Sequence, residues 1–376
     1  MILYTLYFIL FLFGLSAGSF LNAIIWRLEK GKSIIMDFFR CHPDPSRAGR
    51  RISSRFFSPR CRYGEAGGLC PQNDKEEMAS ARLSRSCCPK CEHILKWYDL
   101  IPVLSFIFLR GKCRYCGKNI SWQYPIVEMA TALIFLLIFN KIFNFKFFLI
   151  SNAIGNYSEA IGIFEEVSSF KFQVLSLIFW LYIASVLIVI FVYDLKHYII
   201  PDKVLFPAII ITFLFRIYEF LVLLLSRHAE LISASPETLK QVQGDKLWMI
   251  GSWPLVVGNL RPYFLSAIIA SVFFLSLVLM SRGRAMGMGD AKLALLMGLV
   301  LGWPNILAAL FFSFLSGAII GLGLILASNG NQVAKSRKLN YSPKSQIPFG
   351  PFLVAGTFFA LFWGNAIINY YSSLFL

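Results

Sequence analysis

The stretch Phe172–Tyr193, FQVLSLIFWLYIASVLIVIFVY, contains no charged residue and is followed directly by Asp194. An apolar run of about 18 residues or more can cross a ~30 Å hydrocarbon core as a helix. Helices are the plausible spanning form, because lipid cannot satisfy an open backbone. Asp194 therefore stands where a membrane helix meets water. A second acid is placed the same way: Gly287-Met288-Gly289-Asp290 opens the apolar run Ala291–Gly302. Carboxylates at that depth are costly, and the cost points to chemistry.

The rest of the chain agrees with a membrane setting. Its 376 residues are 57% hydrophobic and only 15% charged, too apolar for a soluble protein of this length. Eight spans are read: Ile2–Trp26, Trp122–Phe143, Phe172–Tyr193, Val204–Leu225, Tyr263–Met280, Ala291–Gly302, Ile306–Ala327 and Pro351–Phe375. The sixth is short and flanked by glycines. The first has no basic leader and no small-residue cleavage site, so it reads as a retained helix. The fold class is an all-α polytopic integral membrane protein of about eight transmembrane helices with a cytoplasmic zinc-binding loop. Its parts are a first helix (1–26), the loop (27–121) and a transmembrane core (122–376).

The formal charge of +16 is uneven. Arg27 to Lys118 holds 19 Lys/Arg against 9 Asp/Glu, and Lys335, Arg337, Lys338 and Lys344 stand in a stretch without acids. With eight spans these segments share one side with Arg282, Arg284 and the Asp194–Lys203 turn. The positive-inside rule makes that side cytoplasmic. No basic-aromatic pattern accompanies the charge, so nucleic acid is not expected as a partner.

All 8 cysteines lie between Cys41 and Cys116, on that cytoplasmic side, where disulfides are disfavoured. Cys88-Pro89-Lys90-Cys91 and Cys113-Arg114-Tyr115-Cys116 form two CxxC pairs with 21 residues between them. Two such knuckles close a tetrahedral zinc site. Four sulfurs leave no open position, so Zn2+ here would be structural. Glu128, about two turns inside the second span, is either functional or a hydrogen-bonded structural acid. Gly14 and Gly18 form a small-residue packing motif that suits contact within the bundle, with Asn22 hydrogen-bonding there.

These motifs together resemble the type IV prepilin peptidases, the leader peptidases of type IV pilus and type II secretion systems. The resemblance rests on Gly18-Ser19-Phe20-Leu21-Asn22 with Arg27, the stretch Cys88–Glu128, and Asp194-Leu195-Lys196-His197 leading to Ile200-Pro201-Asp202. Gly289-Asp290-Ala291-Lys292 and Pro348-Phe349-Gly350-Pro351 complete it. It implies an inner-membrane aspartyl protease of the GxGD type, catalytic at Asp194 and Asp290. Its substrates would be prepilins or pseudopilins, cleaved on the cytoplasmic side. It also implies N-methylation of the new N-terminus from S-adenosylmethionine, with Gly111 and Glu128 as methyltransferase candidates. A peptidase without methylation is the alternative within the class. A transporter with a zinc-organised gate is the alternative outside it, disfavoured by the helix-end acids and the absence of a visible repeat.

An aspartate pair hydrolyses a peptide bond with one carboxylate ionised and one protonated. Like charges held close cannot both ionise cheaply, so the pair titrates as a unit. Gly287 and Gly289 would support the site by permitting unusual backbone angles and close approach of an extended substrate. Lys292 pairs either with a headgroup or with an aspartate. Asp290 can also be read as the N-cap of its span, and Asp202 as a structural cap of the fourth. His197 is expected to face the headgroup region. Two segments are out of character, 37–86 and 227–246. Both look like insertions, expected to be poorly ordered and away from the aspartates. The oligomeric state is not legible.

Overall fold

The structure, a computed structural model, describes residues 2–29, 88, 91, 93, 95–143, 160–233, 248–282, 286–330 and 348–375. The helices among them are α1 (Ile2–Glu29), α2 (Leu104–Phe108), α3 (Gln123–Ile142), α4 (Ala160–His197), α5 (Asp202–Ser233), α6 (Trp248–Met280), α7 (Met288–Leu301), α8 (Asn305–Gly330) and α9 (Gly350–Phe375). A 3-10 turn covers Trp97–Leu100. No strand occurs among the described residues, only an isolated antiparallel bridge between Lys112 and Asn119. The all-α membrane class is thus what the chain adopts. The described residues form two compact units, Met1–Leu133 and Ile134–Leu376.

Seven helices contain stretches long and apolar enough to cross a bilayer: Tyr4–Glu29, Gln123–Ile142, Phe172–His197, Asp202–Val222, Leu260–Met280, Asn305–Gly323 and Gly350–Leu374. The sixth expected span is different. It folds as α7, whose 14 residues reach about 21 Å, short of a hydrocarbon core. Between Asp290 and Leu301 only Lys292 and Leu295 escape full burial. The helix is enclosed by α5, α6, α8 and α9. A helix that is apolar all round belongs inside protein, and here composition alone reads the same as a lipid-facing span.

The segment 227–246 also departs from expectation at its start. Arg227–Ser233 continues α5 as helix. The remainder of that segment, and all of 37–86, lie outside the described residues.

In the second unit, α6 and α7 run antiparallel at close range. A Cβ on Gly298 would collide with the backbone of Ala267, and Ser266 Oγ donates to the Gly298 carbonyl at 2.9 Å. At the next turn Tyr263 packs on Gly302, which closes α7 with φ +68°. Both contacts keep one register. Asp290 is therefore level with Leu275, and α6 continues about 7 Å beyond it to Met280. The acid at the head of α7 is recessed below the end of its neighbour.

Arg216 of α5 is only 3% exposed, an unusual place for an obligate cation. Its guanidinium donates to the carbonyls of Leu299 at 3.0 Å and Val300 at 2.7 Å, in the last turn of α7. Glu219 accepts from it at 2.5 Å, and the Tyr263 ring lies 3.8 Å from it. It caps a helix end that lies within the bundle, where no water replaces the missing partners. Nothing in the sequence marked it out.

In the first unit, α1 and α3 are antiparallel through the small residues read from the sequence. A Cβ on Gly14 would lie 2.6 Å from Ala132 Cα, and one on Gly18 2.6 Å from Glu128 Cα. Asn22 Nδ2 donates to the Tyr124 carbonyl at 3.2 Å in the same register. The packing is intramolecular, as the motif suggested.

Replacing Gly298 by Val should overpack the α6–α7 contact and destabilise the protein by about 1–3 kcal/mol. Thermal unfolding in detergent measures it. An unchanged midpoint would mean that the two helices do not approach as closely as described.

Candidate functional site

α4 ends because Tyr198 turns into the left-handed region (φ +57°) and Pro201 cannot continue a helix. Tyr198 donates its N–H to the Asp194 carbonyl at 2.9 Å. Asp194 thus occupies the last turn, 4% exposed, with its side chain turned into the unit. Its carboxylate accepts the backbone N–H of Gly350. Gly350 is the first residue of α9, so the acid faces the positive end of that helix. A Cβ on Gly350 would run into Asp194 Oδ2. Only glycine leaves room for the carboxylate to reach this amide.

Asp290 lies in the first turn of α7, 8% exposed. It is not the N-cap. Gly287 holds that position, and its N–H donates to the Asp290 carboxylate while its carbonyl accepts the Asp290 N–H at 3.2 Å. The two acids lie within electrostatic reach of one another. Ile200, from the turn after α4, packs against both loops. It would stand 3.1 Å from a Cβ on Gly289 and 3.5 Å from one on Gly350.

The glycines do their work differently from the expectation. Gly287 has φ −85°, and Gly289 is not among the positive-φ residues. Neither therefore needs glycine for its backbone angle. Gly289 gives Ile200 room, and a Cβ on Gly287 would meet nothing closer than Gly289 N at 3.9 Å, leaving open space beside Asp290. Lys292 finds a protein partner: its Nζ lies 2.9 and 3.0 Å from the two oxygens of Asp202. This ties the head of α5 to α7. Both groups are substantially exposed, so the pair is worth at most about 1 kcal/mol. His197 is exposed, its ring 4.6 Å from that of Tyr193.

The four cysteines come together as spaced. Cys88, Cys91, Cys113 and Cys116 place their sulfurs within 4.8 Å of one another, a group that can hold a metal ion. Four thiolates about 2.3 Å from one centre make a closed tetrahedral zinc shell, and this donor set fits it. Each knuckle is wound by its own backbone: Cys88 N–H donates to the His93 carbonyl at 3.0 Å, and Cys113 N–H to that of Lys118 at 2.9 Å. Desolvation raises the Cys113 thiol, but the N–H groups of Cys116 and Tyr115 outweigh it and bring it to about 7. Desolvation pushes Cys91 up to about 12, with Cys88 and Cys116 crowding it further. Without a cation the four thiols cannot all ionise; a dication removes that conflict.

Between the knuckles, Asp99 organises the loop. Its side chain is 2% exposed and pairs with Arg114 Nε at 2.9 Å, while Tyr115 Oη donates to it at 3.1 Å. Gly111 is a turn residue at φ +70°, with the Phe106 ring 3.2 Å from where its Cβ would be. Glu128 is buried. Its Oε2 accepts the Val103 N–H at 2.8 Å, and Ser19 also hydrogen-bonds the carboxylate. Both methyltransferase candidates thus have contacts that shape the loop.

These features define a class: a polytopic helical membrane protein with two buried aspartates at helix ends, within electrostatic reach of one another, and a four-thiol loop beside its first two spans. Comparison with known proteins places it further. Residues 12–142 match the Bacterial Peptidase A24 N-terminal domain, and residues 245–322 match the Type IV leader peptidase family. The second match includes Asp290 but not Asp194. A Bacillus subtilis (strain 168) protein named prepilin leader peptidase/N-methyltransferase is 30% identical over 292 residues, covering 78% of this chain and 87% of the relative. One of the same name from Aeromonas salmonicida (strain A449) is 28% identical over 372 residues, 99% of this chain and 96% of the relative. A Pseudomonas aeruginosa relative is 26% identical over 360 residues, 96% and 91%. No solved structure matches. The chain belongs to the type IV leader peptidase family.

Two contacts at the aspartates escaped the sequence reading: the Gly350 amide and the Ile200 side chain. The Pro348-Phe349-Gly350-Pro351 stretch was legible as a motif, but its role depends on a fold contact 156 positions away in sequence, from Asp194 to Gly350.

Changing Cys88 to Ser should reduce bound metal to below about a tenth of the wild-type content, since a three-sulfur site loses its closed shell. Elemental analysis of the purified proteins is the readout, and unchanged metal content would reject the four-sulfur site.

Proposed function

We propose that this protein is a membrane-embedded aspartyl endopeptidase that removes the leader of prepilins or pseudopilins, with Asp194 and Asp290 as its catalytic pair. The observation that supports it most is the pair of buried carboxylates within electrostatic reach of one another, each accepting the N–H of a glycine at a helix start. The names of the relatives supply the substrate class. The active site would face the cytoplasm across a bacterial inner membrane, on the strength of the basic loops.

In this reading the pair carries one proton. The ionised carboxylate takes a proton from a water held between the two groups as its oxygen attacks the scissile carbonyl. The protonated carboxyl hydrogen-bonds the carbonyl oxygen and stabilises the charge that develops there. Collapse of the tetrahedral intermediate returns a proton to the departing amine. Neither aspartate is given a fixed role, because a coupled pair shares its proton. The backbone around Gly287 and Gly289 is open beside Asp290 and can receive an extended segment. A substrate helix must unwind there before its peptide bond is exposed. The recessed head of α7 fits that need, since an acid level with the helix ends would meet only the folded helix.

The zinc site would be structural, held by Cys88, Cys91, Cys113 and Cys116, and supply rigidity to the loop with no open position for water. N-methylation of the new N-terminus, with S-adenosylmethionine as donor, is part of the proposal because the relatives carry that name and the four-sulfur loop is intact. Gly111 and Glu128 shape the loop through their contacts with Phe106 and Val103.

Asp194→Asn and Asp290→Asn should each lower leader removal by at least about 10³-fold while the unfolding midpoint stays near wild type. Gly350→Ala should also lose activity, by about 10²-fold or more, through displacement of the Asp194 carboxylate. Purified protein, a prepilin and S-adenosylmethionine, followed by mass spectrometry, read cleavage and methylation separately. Full cleavage by either asparagine variant would sink the dyad assignment. Cleavage without methylation would leave the peptidase and remove the second activity.

A further inference from the structure

We infer that the short helix α2 is a membrane-dipping anchor, which seats the apolar face of the metal-binding loop in the lipid of the cytoplasmic leaflet. Three observations carry this. The first is depth. Val103, which precedes α2, donates its N–H to Glu128 at 2.8 Å. Glu128 is already about 7 Å inside the α3 helix from Gln123. The α1–α3 register makes Glu128 level with Gly18, roughly 16 Å below the end of α1 at Glu29. The loop therefore descends well below the ends of both spans before α2 begins.

The second observation is strain. Val103 sits at φ +58°, ψ −49°, a conformation costly for a β-branched residue. It is held there by the Glu128 carboxylate. The chain accepts this to turn α2 at that depth instead of leaving it in the aqueous loop.

The third is the surface that results. Leu104, Ile107 and Phe108 are 51%, 62% and 81% exposed, and Trp122 at the head of α3 is 70% exposed. Phe106 ties α2 to Trp122, ring centroids 5.0 Å apart. Trp at a helix entrance belongs to the interfacial belt. Among the described residues of the loop the exposed charges, Lys96, Arg110, Lys112, Arg114 and Lys118, are all positive, whereas Asp99 is buried under Arg114. Apolar side chains ringed by cations suit an anionic lipid surface. A protein partner of the same shape would need acids facing these cations.

The test uses the full chain reconstituted in vesicles of phosphatidylethanolamine and phosphatidylglycerol. The photoreactive residue p-benzoylphenylalanine replaces Ile107, Phe108 or, as a control on the second knuckle, Lys118. These side chains are exposed, so the substitutions leave packing intact. Irradiation should give phospholipid adducts at Ile107 and Phe108 at least about tenfold above those at Lys118, unchanged by added prepilin. Adducts mainly to prepilin would make the face a substrate dock, and adducts to a second chain would make it a subunit contact. Either result, or lipid labelling no greater than at Lys118, overturns the inference.

Discussion

Lipid gives a polar group no partner, and nearly every specific feature of this molecule answers that constraint. Hydroxyls within the helices turn back on their own backbone, as Thr131, Thr212, Ser313 and Thr357 do to carbonyls one turn earlier. Arg216 spends its charge on the open carbonyls of α7 and on Glu219. Three carboxylates buried within the long helices each accept a backbone N–H: Asp194 from Gly350, Asp290 from Gly287 and Glu128 from Val103. None of these acids is tied to a lysine or arginine among the described contacts. For the aspartates this matters under the proposed function, because a salt bridge would fix one protonation state where the proposed catalytic pair would exchange it.

The short central helix is the second consequence. α7 is enclosed by four neighbours, so its head need not reach the membrane surface and its tail must be closed by protein. Arg216 and Gly302 close the tail; Gly287 opens the head. Because the Gly298–Ala267 contact leaves no slack, the depth of α7 is set by α6. Asp290 inherits that depth, and Asp194, in the last turn of α4, lies within electrostatic reach of it. A chain whose second acid sat on a full-length span would have placed it at the helix ends, beside the headgroups.

The two halves of the chain meet different physical problems. The core positions charge in a low-dielectric bundle. The loop is a small region with few buried apolar side chains, and small regions need staples. The group of four sulfurs, which can hold a metal ion, the Asp99–Arg114 pair and the Val103–Glu128 bond supply them here.

The sequence by itself determined the class, the number of long spans but one, and the residues worth attention. Hydrophobic run length and CxxC spacing are local properties, and local properties survive in one dimension. The four cysteines were legible for that reason, and so were Gly14 and Gly18 as a packing face. Tertiary structure alone decided that Ala291–Gly302 is enclosed by protein and does not face lipid, since both kinds of helix are uniformly apolar. It decided that Lys292 answers Asp202, that Arg216 closes α7, and that Gly350 and Ile200 complete the surroundings of the aspartates. Each of these joins residues far apart in the chain, and only the packing of the helices brings such partners to one depth in a solvent that offers none.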